Sequence, residues 1–157
     1  MPNIRNEKYR DSVITSLYNA LHELLAAKHF NEAKEMLEAY YSIIPTVGHS
    51  QAKGTGKETG TIFSIREGFA SKAILLSVVT QDDRMFLIAE QFMPEEISDK
   101  VLAFNLACLY ALKKDKENLI HYTRMAIRLG KNKVDFMKDT DFEAFMNDAE
   151  FLDTLEP

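Results

Sequence analysis

Apolar residues at Ile14, Leu17, Tyr18, Leu21, Leu24 and Leu25 recur at steps of three and four, the spacing of a helix with one face turned inward. The pattern lapses at "AKHFN", where Asn31 can accept from the free amides of a new first turn. It resumes at Ala33, Met36, Leu37, Tyr40 and Tyr41 and stops before Pro45. Two amphipathic helices joined this closely predict an antiparallel hairpin. A third helix is expected from about Ile62 to Val79, with Ile65, Phe69, Ala73 and Leu76 on its inner face. Its "SVVT" end is β-branched, which weakens a helix and also suits a short strand. "TQDD" supplies a turn and caps for a fourth helix, Arg84 to Phe92, which Pro94 stops.

The next two helices have the plainest signals. Ser98 or Asp99 caps "KVLAFNLACLYALKK", which lines up Leu102, Leu106, Leu109 and Tyr110. "KDKENLIHYTRMAIRLG" then lines up Leu119, Tyr122, Met125, Ala126 and Leu129 before a terminating Gly130. In "VDFMKDTDFEAFMNDAEFLDTLEP" aspartates stand just ahead of short apolar groups, as helix N-caps do. Phe136, Phe142, Phe145, Phe151 and Leu155 are there to be buried, so this tail reads as short helices covering an exposed end.

Composition narrows the picture. With 46% hydrophobic residues over 157 positions, one core and one domain are expected, and six glycines with four prolines are too few for a turn-rich all-β chain. The net charge of −5 sits in the tail, where from Asp135 onward eight acids stand against one base, Lys138. Lys113, Lys114, Lys116, Lys131 and Lys133 are interrupted by acids and read as solvated helix ends. Nucleic acid is therefore not expected as a partner. A single cysteine, Cys108, excludes an intramolecular disulfide and a cysteine-based zinc cluster. No apolar run approaches about 18 residues, so neither a signal peptide nor a membrane span is expected, and the chain reads as soluble and cytoplasmic.

Hairpins in series call for a test of period. In "AFNLACLYALKKDKENLIHYTRMAIRLG" the order Ala103, Leu106-Ala107, Tyr110, with Ala126 in the second helix, resembles the tetratricopeptide repeat (TPR). Leu17, Ala20-Leu21 and Leu24 leading to Ala33, Leu37, Tyr40 and Pro45 fit the same register. Phe69-Ala70 and Ala73 leading to Phe86, Ala89 and Pro94 fit it in the middle. "FMKDTDFEAFMNDAEFLDTL" is similar to the capping segment that ends many bacterial arrays of this family. The resemblance is strongest over Ser98 to Leu155, moderate over Ile14 to Pro45 and weak between them. It implies an all-α fold, a right-handed stack of about three TPR-like hairpins, over 7–45, 61–94 and 98–130. An insertion over 46–60 and a C-terminal helical cap over 133–155 complete it.

The insertion contains "GHSQAKGTGKETG", the one stretch with the glycines and lysines of a phosphate loop. Gln51 stands where the first glycine belongs, and Glu58 replaces the hydroxyl that would hold magnesium; an acid there repels the ligand. It reads as a loop between repeats. "HELLAAKH" lacks the second histidine one turn after His22, so no metal or cofactor is expected. Cys108 is flanked by "LACLYAL" and reads as a buried inert thiol. Asp82-Asp83 and Glu95-Glu96 read as helix starts.

The resemblance implies that the first helix of each hairpin lines a concave face holding a partner's peptide or helix. Carried over, the lining is Tyr18, His22 and Leu25, then Glu67, Ser71 and Ile74, then Phe104, Asn105, Cys108 and Leu112. Some members clamp a C-terminal carboxylate there with basic residues and asparagines. Here Tyr18 and His22 stand in place of a lysine and an asparagine, and Val101 and Asn105 replace a basic pair, so that specialisation is not expected. The expected function is a non-catalytic interaction or scaffold module. The alternative is an enzyme or small-ligand protein on the same frame, using the 48–60 loop with His22 or His121.

Overall fold

A computed structural model describes residues 7–43, 53–55, 62–91 and 93–156, with side chains described from residue 12 onward and not for 43 or the two strands. The elements are α1 (Glu7–Ala26), α2 (Phe30–Tyr40) with a 3-10 turn (Tyr41–Ile43), β1 (Lys53–Thr55), β2 (Ile62–Ser64), α3 (Ile65–Thr80) and α4 (Asp83–Glu90). They continue with α5 (Lys100–Leu112), α6 (Lys116–Arg128), α7 (Lys133–Lys138), a 3-10 segment (Thr140–Phe145) and α8 (Ala149–Thr154). The architecture is all-α, with one short ribbon in which β1 and β2 pair antiparallel, Gly54 opposite Phe63.

That ribbon corrects the expected third helix, which begins at Ile65 rather than Ile62. Ile62 and Phe63 favour extended backbone, and pairing with a segment about nine residues back outweighs one more helical turn. The rest of the expected insertion lies outside the described residues, as do Pro45 and Phe92. Two other starts differ. α2 opens at Phe30 with His29 before it and no side-chain cap, so Asn31 is not the cap. Glu95 and Glu96 lie in a bend ahead of α5 instead of beginning it.

Elsewhere the caps follow the aspartates. Asp82, Asp99, Asp115, Asp139 and Asp148 each accept from an amide of the turn they begin, and Asn132 does so for α7. Between α1 and α2, between α3 and α4, and between α5 and α6 the chain turns on a non-glycine residue in the left-handed region: Lys28 (φ 60°), Gln81 (φ 54°) and Lys114 (φ 56°). Such a residue ends a helix by letting the chain reverse while its last carbonyls are still bonded. His29 N–H to Leu24 O (2.8 Å) and Asp115 N–H to Tyr110 O (3.0 Å) are the matching closures.

Packing runs in sequence order. α1 meets α2 and α3, α3 meets α4 and α5, and α5 meets α6 and the 3-10 segment, while α8 closes on α6. The core is contiguous from Ile14 through Leu37, Phe69, Leu76, Leu106 and Leu119 to Phe151. Ion pairs stitch the outer side: Lys34 to Asp82 (3.1 Å), Arg84 to Glu38 (3.5 Å) and Lys116 to Asp148 (2.9 Å). The Arg84 and Lys34 contacts hold the Asp82 carboxyl below its usual range; Lys34 and Asp82 are largely shielded from water, whereas Arg84 is exposed and its share adds little to stability.

Two buried hydroxyls, Ser77 Oγ and Thr123 Oγ1, have no hydrogen-bond partner among the described residues. A buried donor without an acceptor costs about 1–3 kcal/mol. Thr123→Val, which keeps the shape and removes the hydroxyl, is therefore expected to stabilise the fold by about 1 kcal/mol in urea unfolding. A loss of stability would mean that the hydroxyl is bonded.

Candidate functional site

The flanks of α1, α3 and α5 meet in succession, and the residues expected to line a groove fall at these meetings or beside them. Between α1 and α3, Tyr18 lies edge-on to Phe69 with ring centroids 5.4 Å apart. The Lys72 ammonium sits 4.7 Å from the centre of the Tyr18 ring and 3.2 Å from His22 Nδ1. An ammonium only donates, so in this contact Nδ1 is the acceptor. Burial, and then the Asp99 carboxylate, push the Tyr18 phenol up to about 12. Tyr18 therefore keeps its proton throughout the neutral range, as a donor rather than a base.

Between α3 and α5 the contacts are tighter. Glu67 Oε1 accepts from the backbone N–H groups of Ser98 (2.7 Å) and Asp99 (2.6 Å), and Oε2 accepts from the Ser98 hydroxyl (2.8 Å). A carboxylate from one hairpin thus binds the amides that start the next hairpin, where the helix dipole also favours negative charge. Asp99, alongside, is pushed above its usual range by burial, with Glu67 adding to the rise and the Val101 amide opposing it. One turn along, the Asn105 amide donates to Ser71 O (3.2 Å) and Ser71 Oγ (3.1 Å).

The remaining candidates make other contacts. Ile74 is in the core, and Leu25 is half-buried against it. Phe104 packs against the C-terminal cap, 4.9 Å from Phe136 and 5.7 Å from Phe142, with Lys131 above its ring at 4.4 Å. Cys108 is 3% exposed, its Sγ 3.8 Å from Asp139 Oδ2. Leu112 is 42% exposed.

An open groove would leave these side chains to a partner. Glu67, Ser71, Ile74, Asn105 and Cys108 are instead buried, covered because α3 packs on α5 and the cap packs on α5. What this face presents is Tyr18, His22, Leu25 and Phe104 in part, and Leu112 more fully. Lys72 was not anticipated as a member. Its signal was its place as the single charge in "GFASKAILLSVVT". Of the phosphate-loop stretch only Lys53–Thr55 is described, as β1. His121 is exposed, edge-on to Tyr122 (4.8 Å), which stacks on Tyr110.

Burial first, then Asp139 and Asp141, push the Cys108 thiol well above its usual range. A thiol-specific reagent at pH 8 should therefore modify the folded protein at least about 100-fold more slowly than the urea-unfolded chain. Equal rates would place Cys108 at the surface.

Among the described residues no helix is long and apolar enough to cross a membrane. Compared with known proteins, the chain matches no family model, no curated protein and no solved structure.

Proposed function

We propose that the chain is a cytoplasmic interaction or scaffold module without catalysis, a TPR-like right-handed stack of about three helix hairpins. It holds a peptide or a helix of a partner protein along the face of α1, α3 and α5. The observation that carries this reading is the succession of alternate helices, with Ser71 and Asn105 joined across 34 residues, the length of one TPR unit. The left-handed turn residue repeated in all three hairpins supports the same repeat. Its step from Gln81 to Lys114 is about one turn shorter than the 37 residues from Phe69 to Leu106. That favours a middle hairpin set about one turn from the register its apolar residues suggest.

Because polar contacts between hairpins use much of the inner face, the partner meets the half-buried rim: Tyr18, His22, Leu25 and Leu112. A photo-cross-linking residue placed at His22 or Leu112 and expressed in the native cell should capture another polypeptide. The same residue at Leu87, 57% exposed on α4, should not. Capture only from Leu87, or from none of the three, would contradict the reading. A rise of several degrees in melting temperature with a nucleotide would favour a small-ligand protein instead.

A further inference from the structure

Where the cap meets α5, three groups that carry protons converge. The Cys108 sulfur and one oxygen each from Asp139 and Asp141 lie within 4.8 Å of one another. The Asp139 carboxylate already accepts twice: from the Asp141 backbone N–H at 2.9 Å through Oδ1, and from the Cys108 S–H at 3.8 Å through Oδ2. Both aspartates are half-buried, and no lysine or arginine among the described residues pairs with either. α7 offers Lys133, Asp135 and Lys138. Lys133 is engaged with Glu156, Asp135 with Lys131, and Lys138 is exposed. From α5 the titratable group is Cys108, and the 3-10 segment's remaining acid, Glu143, is exposed.

We propose that Asp139 and Asp141, two half-buried carboxylates beside Cys108 with no cationic partner among the described residues, form a proton-dependent latch that seats the C-terminal cap on α5, tightest when the pair holds a proton. Two carboxylates this close and half-withdrawn from water repel each other; a neutral Asp141 becomes a third donor to Asp139. Burial, then the Asp139 charge and the hydrogen bond to it, hold the Asp141 carboxyl above its usual range, and Cys108 opposes them only in part. A carboxyl that holds its proton more tightly folded than unfolded makes the fold lose stability as pH rises. The loss is absent below the unfolded value and complete above the folded one. The latch works whatever the inner face binds.

Melting temperature measured from pH 3 to pH 8 on the full chain tests this. Asp141→Asn keeps a donor without the charge, and should melt about 2–4 °C above the parent at pH 8, with the gain shrinking towards zero as pH falls below about 4. Asp139→Asn, which still caps its turn, should flatten the pH dependence in the same way, and the double variant should gain less than the two separate gains together. Glu143→Gln removes an equal charge from the same segment and should show no such pH-dependent gain. Amide exchange over 139–145 at pH 8 should slow in Asp141→Asn. A gain equal at every pH, or none at pH 8, would overturn the latch. So would a rise in the parent's melting temperature with added zinc that Asp141→Asn abolishes, which would mark the three groups as a cation site.

Discussion

Glu67→Ala is expected to lower stability by about 3 kcal/mol, read as a fall in melting temperature of about 6–12 °C. The carboxylate is buried and is bonded to the Ser98 and Asp99 amides and the Ser98 hydroxyl. Its removal strands these donors at the start of α5, and donors bonded to a charged acceptor are among the costliest to lose. Glu67→Gln separates charge from shape. One amide oxygen can still accept from the backbone, and the Ser98 hydroxyl can turn to accept from the new NH2, so about 1 kcal/mol should be lost. Equal losses for the two variants, or less than about 1 kcal/mol for alanine, would show that Glu67 does not join the hairpins.

The other large effect belongs to the cap. Phe142 is fully buried, its ring centre 5.0 Å from Phe136, 5.6 Å from Phe151 and 5.7 Å from Phe104. It therefore joins α5, α7 and α8 in one aromatic cluster. Phe142→Ala should cost about 3–5 kcal/mol in urea unfolding, because the surrounding rings cannot collapse into the space left behind. Phe145, at the edge of the cluster and 6.2 Å from Phe151, should cost less when truncated. Because the 3-10 segment packs on α5 and α8 on α6, unseating the tail bares the apolar faces of both helices. A loss below about 1 kcal/mol for Phe142→Ala would show the cap to be peripheral.

How much of this was legible follows from what each feature depends on. The six longer helices among the described residues and the tail were visible because their signals are local: Leu102, Leu106 and Leu109 share a face, and Asp99 and Asp148 stand one residue ahead of their turns. The ribbon was not visible, since Ile62–Ser64 becomes a strand only by meeting Lys53–Thr55. The inner face was legible as a place but not as an environment. The resemblance put Glu67, Ser71 and Asn105 on a lining face; only the approach of α5 to α3 pairs Asn105 with Ser71, gives Glu67 the amides ahead of α5 and closes all three to solvent. Lys72 joining His22 is likewise a contact over 50 residues, beyond any local pattern. Cys108 was readable as buried from its apolar flanks, whereas Asp139 beside it comes from a turn that follows two further helices.

The direct measurement of how neighbouring hairpins are joined is amide hydrogen exchange at Ser98 and Asp99, resolved residue by residue by NMR. Both precede the first turn of α5, where an amide ordinarily faces water, and the Glu67 carboxylate is their acceptor. Slow exchange at these two positions, set against fast exchange at Glu95 and Glu96 in the bend before them and abolished in Glu67→Ala, is the predicted result. Exchange at Ser98 and Asp99 as fast as at Glu95 and Glu96 would contradict it.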